Sequence, residues 1–305
     1  MPYNRSMFFG KSNSLRVHCW GGLGSQLYAW ALLEDLVHDF PNRNVNLVLH
    51  NSGVTKRQSD LDFLGLELSI TVVDDFKETR AQSHRSSKKS LRWTLDFSTI
   101  VKLVLRTMGF LATANTNYEY GKIRSWTTDV RGHYSHRTIS RETLSLMKTR
   151  AERCGKSWLV DEYAESINLD ALRIHVRLGD LLTLESKGPL AFERIFSAID
   201  YYKTKDSNLK TIYVASDSPE IAIQNFREKY PQDIVIPVVE DPWRTISILS
   251  SGRTFIGTNS KISVWIAILI FNQDKASQVS LPNGSMNHLR HNLIDFSKIT
   301  SLSLY

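Results

Sequence analysis

The apolar residues of this chain follow two periods that alternate along much of its length. Short apolar runs bounded by turn residues are typical of strands, and apolar residues spaced three or four apart are typical of one helix face. The clearest helical face consists of Phe192, Ile195, Phe196, Ile199 and Tyr202. Strands that alternate with helices favour parallel sheets with right-handed crossovers. The pattern therefore predicts an α/β protein.

The same pattern places the individual elements. It predicts strands over 14–20, 45–50, 68–73, 171–176, 211–215, 233–239, 254–257 and 278–281. It predicts helices over 25–40, 189–205, 219–229, 242–250 and 260–272. Residues 75–117 are rich in basic residues and give no clear prediction. Because regular alternation resumes near 157–168, we expect one Rossmann-like domain over 1–160 and a second over 161–305, facing each other across a cleft.

Composition narrows the classes of protein that fit this pattern. The 305 residues are 42% hydrophobic and 23% charged, which is typical of globular domains. The net charge of +7 and the pI near 9.3 favour an anionic partner, such as a nucleotide diphosphate, an acidic glycan, a membrane surface or a nucleic acid. Cys19 and Cys154 show no metal-ligand spacing and favour a reducing compartment.

The sequence also bears on location. The longest apolar run, 264–271, is far shorter than the roughly 20 residues that span a bilayer. The first residues contain no apolar stretch of signal-peptide length. We therefore expect a soluble cytoplasmic protein, at most peripheral at the inner face of the membrane.

A glycine-rich turn joins the first predicted strand to the first predicted helix. It contains Gly21, Gly22, Gly24 and Gln26. Glycines let a ligand approach the backbone, and the following helix start presents unpaired N–H groups. A dinucleotide site is disfavoured because Leu27 replaces the third glycine of GxGxxG and no acidic residue ends the next strand. The turn either lies near a ligand cleft or is a tight structural connection.

The strand predicted over 171–176 runs into a second candidate site, His-Val-Arg-Leu-Gly-Asp. Ligands of open α/β sheets bind at the carboxyl ends of the strands. Alternation places His175 and Arg177 on one face, and an arginine offers a planar fork of donors that matches phosphate. A salt bridge from Arg177 to Asp180 is the competing interpretation. The helix-opening loop that follows favours a ligand site.

A third candidate site follows the strand over 211–215. Ser216 and Asp217 precede Ser218 and Pro219, which are typical of a helix N-cap and first helical position. Capping explains the serines and the proline. It does not need Asp217, whose carboxylate could accept hydrogen bonds from a base or ribose.

A fourth candidate site lies between the strand over 254–257 and the apolar helix after it. It contains Thr258, Asn259, Ser260 and Ser263. Hydroxyls and backbone N–H groups at a helix N-terminus can form an anion site. Plain helix capping is the alternative.

These four segments, in order, resemble the motifs of one enzyme family. Residues 21–26, 175–180, 215–218 and 258–265 are similar to the GGLGNQ-like, HxRRGD, FSDD-like and NSSFSWW-like segments of bacterial and animal α-1,2-fucosyltransferases and the wider GDP-fucose-dependent superfamily. Order and approximate spacing agree across nearly the whole chain. The chain differs at Leu178, where the family has a second arginine, and at Ser25, where asparagine is usual.

The resemblance implies a GT-B fold, catalysis without metal or cofactor, inversion at the anomeric carbon and GDP-fucose as donor. It implies an α-1,2 linkage to a glycan or lipid-linked acceptor, in surface polysaccharide or O-antigen synthesis. Arg177 would bind the β-phosphate and stabilise departing GDP, His175 would brace that region, and Asp180 is the candidate base. The implied donor-binding residues are Arg177, Ser216, Asp217, Thr258, Asn259, Ser260 and Ser263.

Other interpretations stay open. One is a glycosyltransferase of the same fold that uses a different nucleotide sugar. Another is a nucleic-acid-binding protein without enzymatic activity, which only the net charge of +7 supports. The basic stretch over 84–106, with interleaved apolar residues, could dock onto anionic lipid headgroups or could be a solvated helix face packed on its domain.

Overall fold

A computed structural model describes residues 13–51, 58–74, 97–114, 123–132, 134–156, 170–179, 189–272, 277–283 and 302–304. The chain divides into two compact units, Met1–Arg137 and Thr138–Tyr305. The boundary expected from the sequence, between 160 and 161, falls in a segment outside the described residues.

The first unit is built on a five-stranded parallel sheet with the order β3-β2-β1-β5-β4. Its strands are β1 (Ser14–Trp20), β2 (Asn44–His50), β3 (Ser69–Val73), β4 (Leu111–Ala114) and β5 (Asp129–Gly132). Its helices are α1 (Leu23–Asp39) and α2 (Phe97–Thr107), with short 3-10 helices at Asp62–Leu66 and Tyr134–His136.

Side-chain alternation gives β1 two unlike faces. Leu15, Val17 and Cys19 are buried, and α1 packs against β1 and β2. The intervening residues Arg16 and His18 project to the other face, because successive strand side chains point to opposite sides. The first sheet therefore has one apolar face and one that carries polar groups.

The second unit is built on a six-stranded parallel sheet with the order β11-β10-β9-β6-β7-β8. Its strands are β6 (Leu172–Val176), β7 (Thr211–Ser216), β8 (Ile234–Pro237), β9 (Thr254–Gly257), β10 (Gln278–Leu281) and β11 (Leu302–Leu304). Its helices are α3 (Arg141–Arg153), α4 (Phe192–Lys205), α5 (Pro219–Lys229), α6 (Pro242–Ser250) and α7 (Lys261–Phe271).

Local chemistry explains several helix starts in the second unit. The Asp241 carboxylate accepts hydrogen bonds from the amides of Trp243 and Arg244 at 2.9 and 3.2 Å, which caps α6, and a proline follows as its first residue. α7 is apolar on all sides and almost wholly buried, as expected of a helix inside the core. Its N-cap, Ser260, accepts from the amide of Ile262 at 3.2 Å.

The α/β prediction is confirmed, with one parallel sheet in each unit. Strands β1, β9 and β10 and helices α5 and α6 have the predicted bounds. The helix expected from 189 begins at Phe192, because Ala191 is an N-cap residue with extended backbone. Residues 75–117, which gave no clear prediction, contain α2 and β4. None of the described helices combines the length and apolar character that a bilayer span requires.

Both sheets change direction beside their first strand. In the second sheet the chain runs from β6 to β7 and β8 on one side, and then to β9 and β10 on the other. In the first sheet β2 and β3 lie on one side of β1, with β5 and β4 on the other. Ligands of open α/β sheets bind outside the carboxyl ends of the strands at such a switch point. The glycine-rich turn after β1 and the His-Val-Arg segment at the end of β6 occupy these two positions.

Candidate functional site

The switch point of the second sheet is held together by hydrogen bonds between the ends of β6 and β9. The backbone amide and hydroxyl of Thr258 each donate to the carbonyl of His175 at 3.1 Å. The Thr258 hydroxyl accepts from the amide of Arg177 at 2.9 Å. Thr258 is only 2% exposed. Its side chain therefore fixes the backbone from which Arg177 projects.

His175 has an environment that keeps it neutral. Its Nδ1 lies 2.8 Å from the hydroxyl oxygen of Ser263, a fully buried residue in the first turn of α7. Burial lowers the pKa of His175 to about 4; the charge of Asp217 opposes this, and that of Arg177 adds to it. At neutral pH His175 is thus a hydrogen-bonding group that links β6 to α7, and not a cation.

Arg177 follows β6 directly and is half-buried at the carboxyl edge. The next residue, Leu178, is only 1% exposed and belongs to the core of the second unit. This explains the departure from the resembled motif, because a second arginine at position 178 would bury its charge in that core. A single guanidinium therefore remains at this motif.

Asp217 lies after β7 and binds the backbone of the segment that follows Arg177. Its Oδ1 accepts from the amides of Leu178 and Gly179 at 2.7 and 3.0 Å. A Cβ on Gly179 would displace this carboxylate, so both hydrogen bonds depend on glycine there. Asp217 is itself exposed. One carboxylate oxygen thus holds the Arg177 segment in place, and contact with a nucleotide stays a prediction.

The remaining predicted donor-binding residues divide into buried and exposed ones. The Ser216 hydroxyl accepts from the amide of Ser218 at 3.0 Å, and Ser260 caps α7. Ser263, like Thr258, is used inside the protein. Asn259 is exposed at the start of α7. The structure brings these groups together around Arg177, and most of their side chains support the site from within.

Two predicted positions have a different outcome. Asp180, the candidate base, lies outside the described residues. Of the basic stretch over 84–106, the structure describes 97–106, nearly all of α2. Its exposed apolar residues are Ile100, Val101, Leu103, Val104 and Leu105. Lys102 and Arg106 are exposed on the same helix.

The glycine-rich turn at the end of β1 is a tightly built connection. Gly21 has a φ of +104°, which favours glycine. The carbonyl of Gly22 accepts from the amides of Ser25 and Gln26 at 2.8 and 3.2 Å, and Gly24 lies inside α1. These bonds begin the first turn of α1, two residues earlier than predicted.

Gln26 ties this turn to the segment that follows β2. Its amide nitrogen donates to the carbonyls of Gly21 and Gln58 at 3.1 and 2.8 Å, and its oxygen accepts from the amide of Asp60 at 2.9 Å. Gln26 is 2% exposed. The buried glutamine side chain thus links the turn to the segment 58–60, and the turn fixes the position of the end of β1.

The polar face of the first sheet carries a group that the sequence did not single out. Nε2 of His18 lies 2.8 Å from Oδ1 of Asp129, and its Nδ1 lies 2.9 Å from Nε2 of His50. The indole of Trp20 stacks on the His50 ring at 4.4 Å between centroids, with 8° between the planes. The sequence does contain one signal of this group: strand alternation places His18 and Trp20 on the same face.

Asp129 is the charged end of this group. Burial alone would raise its pKa, but hydrogen bonds from His18, from the Thr128 hydroxyl at 2.7 Å and from Arg16 at 3.0 Å together hold it well below its usual range. Asp129 is therefore an ionised acceptor at all ordinary pH values. Among the described residues, no set of three or more His, Cys, Asp and Glu side chains is arranged to hold a metal ion.

Comparison with known proteins gives remote likenesses only. No protein-family model and no curated protein matches the chain. Among solved structures, POFUT1 in complex with GDP is 11% identical with a TM-score of 0.42, covering 88% of this chain and 98% of that chain. A glycosyl transferase family 9 protein from Veillonella parvula is 12% identical with a TM-score of 0.43, covering 88% and 80%. A putative UDP-N-acetylglucosamine 2-epimerase from Listeria monocytogenes is 11% identical with a TM-score of 0.44, covering 95% and 84%.

Proposed function

We propose that this protein is a glycosyltransferase that moves a sugar from a nucleotide diphosphate donor to a glycan acceptor. The observation that supports this most is the position of Arg177. It follows the central strand at the switch point, and Thr258 and Asp217 hold its backbone from two sides. The backbone is held in this way, and the arginine side chain that it carries offers a guanidinium able to bind a diphosphate through paired hydrogen bonds.

The proposed reaction is an inverting displacement that needs no metal. The acceptor oxygen attacks the anomeric carbon while the bond from that carbon to the diphosphate breaks. Negative charge grows on the departing diphosphate, and Arg177 stabilises it. The start of α7 beside Asn259 adds backbone N–H groups and the positive end of a helix dipole. The neutral His175 keeps α7 and β6 in register without adding a second charge.

The donor is GDP-fucose in this proposal, and the product is an α-1,2-linked fucoside in surface polysaccharide or O-antigen synthesis. The support is the ordered resemblance of residues 21–26, 175–180, 215–218 and 258–265 to the segments of GDP-fucose-dependent enzymes. A different nucleotide sugar is the second candidate for the donor. Asp180 stays a candidate base on the same resemblance.

A nucleotide screen without added metal tests the donor. GDP should raise the melting temperature of the protein, whereas UDP and CMP should leave it unchanged, because the resemblance implies a guanine-nucleotide donor. Stabilisation by UDP and not by GDP would mean that the donor is a different nucleotide sugar. No response to any nucleotide or nucleotide sugar would contradict the glycosyltransferase proposal itself.

Arg177→Ala tests the role of the guanidinium. We expect GDP release from GDP-fucose to fall by about 1000-fold, a magnitude typical of losing one group that stabilises transition-state charge. The melting temperature should stay close to that of the parent protein, because Arg177 lies outside the buried core. Arg227→Ala, which removes an exposed arginine from α5, is the matched control and should keep full turnover.

We also infer that α2 contacts an anionic membrane surface. Its exposed apolar residues and its two basic residues, Lys102 and Arg106, have the character of an interfacial helix. Phosphatidylcholine vesicles containing phosphatidylserine should co-sediment with the protein, and Leu103→Asp should abolish this. Leu66→Asp changes an exposed leucine outside α2 and should leave it intact. Equal binding by both variants would contradict the inference.

A further inference from the structure

Two segments of the chain leave the second sheet side by side at its carboxyl edge. β6 and β7 are parallel, and Val176 pairs in register with Ser216, so Arg177 and Asp217 are the next residues on adjacent strands. Adjacent strands lie about 5 Å apart. When Arg177 binds one group of a ligand, the neighbouring group of that ligand therefore lies beside Asp217.

The two oxygens of the Asp217 carboxylate have different uses. Oδ1 accepts from the amides of Leu178 and Gly179 at 2.7 and 3.0 Å. These two bonds come from consecutive residues of one segment and fix the orientation of the carboxylate. Oδ2 accepts no hydrogen bond from the residues that the structure describes, and Asp217 is exposed at the edge of the sheet. The protein thus presents one fixed acceptor oxygen next to Arg177.

The chemistry of this oxygen selects the part of a nucleotide that it binds. A carboxylate repels phosphate and accepts hydrogen bonds, so its ligand must be a neutral donor. A guanine nucleotide has such donors on the ribose hydroxyls and on the base. The adjacent N–H groups of guanine match both oxygens of a carboxylate, and Oδ1 of Asp217 already accepts two hydrogen bonds. The single remaining oxygen is suited to the hydroxyls of the ribose.

From this arrangement we infer that Oδ2 of Asp217 binds the ribose hydroxyls of the donor nucleotide. The inference rests on the glycosyl transfer proposed above and adds the direction in which the donor lies. With the diphosphate at Arg177 and the ribose at Asp217, the nucleoside extends from β6 across β7 towards β8. GDP and UDP both contain ribose, so this role of Asp217 does not depend on which base the donor carries.

The end of β8 offers an apolar side chain where this direction places the base. The amide of Val238 donates to the carbonyl of Val214 at 2.8 Å, so the chain follows β7 for one residue beyond β8. Val239 comes next and is 68% exposed. Nucleobases pack their flat faces against apolar and aromatic side chains. The base therefore lies beside Val239.

Calorimetry with GDP and 2′,3′-dideoxy-GDP tests the role of Asp217. The unaltered protein should bind GDP about 10- to 100-fold more tightly, because the dideoxy form loses its hydrogen bonds to a charged acceptor. Asp217→Asn keeps an oxygen for the amides of Leu178 and Gly179 and replaces Oδ2 by an amide nitrogen. It should reduce the ratio of the two affinities to about threefold or less. Any loosening of the neighbouring backbone lowers both affinities and leaves their ratio unchanged.

Asp206→Asn is the matched control. The Asp206 carboxylate is also exposed and also accepts from a backbone amide, that of Asn208 at 2.9 Å, but it follows α4 at the amino edge of the sheet. This variant should keep the ratio of the unaltered protein. If Asp217→Asn kept that ratio as well, the role given to Asp217 would be wrong.

Inosine diphosphate, which lacks the 2-amino group of guanine, separates ribose from base. Asp217→Asn should leave the ratio of GDP to inosine diphosphate affinity unchanged. If it abolished a preference for GDP and kept the preference for ribose over dideoxyribose, Asp217 would bind the base and the inference would be overturned.

The direction of the nucleoside has its own pair of variants. Val239→Ser should weaken GDP binding by about three- to tenfold through loss of apolar contact. Ile234→Ser changes a residue that is 62% exposed at the other end of β8 and should leave GDP binding unchanged. Equal affinities in the two variants would overturn the placement of the base.

The outcomes for the unaltered protein distinguish this inference from the proposed function. If it bound GDP and 2′,3′-dideoxy-GDP equally well, the inference would fail and the glycosyltransferase proposal would stand. If it bound UDP and not GDP, UDP and 2′,3′-dideoxy-UDP should show the same ratio and the same response to Asp217→Asn. If it bound no nucleoside diphosphate, the proposed function would fail and the inference with it.

Discussion

The carboxyl edges of the two sheets use the same residue type in opposite electrostatic settings. At the first edge, His18 lies between a carboxylate and a second histidine and is hydrogen-bonded to both. At the second edge, His175 lies against a serine hydroxyl, is largely buried and has Arg177 nearby, so it stays neutral. The first edge thus presents a carboxylate hydrogen-bonded to a pair of histidines, and the second presents a guanidinium that binds a diphosphate in the proposed function.

The contrast follows from what the neighbouring strand or helix supplies to each histidine. β5 supplies Asp129 to the first edge, whereas α7 supplies Ser263 to the second. A cationic histidine beside Arg177 would repel it, and a neutral one holds α7 without that cost. The positive charge at the second edge therefore lies on the Arg177 guanidinium, which binds a diphosphate in the proposed function.

The largest expected effect on stability comes from Gly179→Ala at the second edge. A Cβ there would displace the Asp217 carboxylate and break its two hydrogen bonds to the backbone after Arg177. We expect the free energy of unfolding to fall by about 2–3 kcal/mol, since the lost bonds involve a charged acceptor. GDP affinity, measured by calorimetry, should fall by roughly 100-fold, which corresponds to a similar free energy.

Gly65→Ala is the matched control for this variant. A Cβ on Gly65, in the first unit, would contact nothing within 4 Å. Its stability and GDP affinity should equal those of the parent protein. If Gly179→Ala bound GDP normally, the hydrogen bonds from Asp217 to the segment after Arg177 would not matter for the proposed diphosphate site, and the contrast between the edges would have no functional consequence.

The second edge was largely predictable because its groups lie in short segments that directly follow strands. Alternation placed His175 and Arg177, and proline and capping residues fixed the starts of α5 and α6. What could not be predicted is which hydroxyls are used internally. That depends on β9 lying beside β6, which brings Thr258 to the end of β6 from 83 positions away.

The first edge could not be predicted, for a topological reason. His18 and His50 are 32 positions apart, and His18 and Asp129 are 111 apart. Their contact requires β5 to lie beside β1, with β4 outside it, although β4 comes earlier in the chain. β5 has four residues, one of them aspartate and one arginine, and therefore gives no apolar strand signal. Alternation alone shows which residues share a face but not which strand lies next to them.

Lowering the pH should reduce the free energy of unfolding through the two edges over different pH ranges. The pKa of His175 is lowered from 6.5 to about 4, mainly by burial. Below pH 6.5 the unfolded chain therefore takes up a proton that the native protein does not, so stability is lost as the pH falls towards 4. At pH 5 we expect this loss to be about 1–2 kcal/mol, allowing for partial solvent access. His175→Gln should remove that slope from urea unfolding curves.

Asp129 acts in a lower window. Because its pKa lies below the ordinary value of 3.8, its contribution to stability is complete above that pH and is lost only as the pH falls further. Asp129→Asn should therefore flatten the stability profile below about pH 4 and leave the slope between pH 4 and 6.5 as it is. If instead Asp129→Asn removed the slope around pH 5, the assignment of the two windows would be reversed.

The smallest expected effect concerns the turn that places the end of β1. Gly21 and Gly155 both have positive φ, +104° and +73°, so alanine at either position costs about 1 kcal/mol in backbone strain. A Cβ on Gly21 would also lie 3.1 Å from the Ser25 hydroxyl, whereas one on Gly155 would meet nothing within 4 Å. Gly21→Ala should therefore lower the free energy of unfolding by about 0.5–1 kcal/mol more than Gly155→Ala.

The Gly21 carbonyl is one of the two that accept hydrogen bonds from the Gln26 side chain. A shift of Gly21 would therefore weaken the packing at the end of β1 in the first unit and leave the second edge unchanged. Urea unfolding of both variants, followed by GDP affinity, checks this. Equal destabilisation by the two variants would mean that the turn has room to adjust and does not fix the position of Trp20 beside His50.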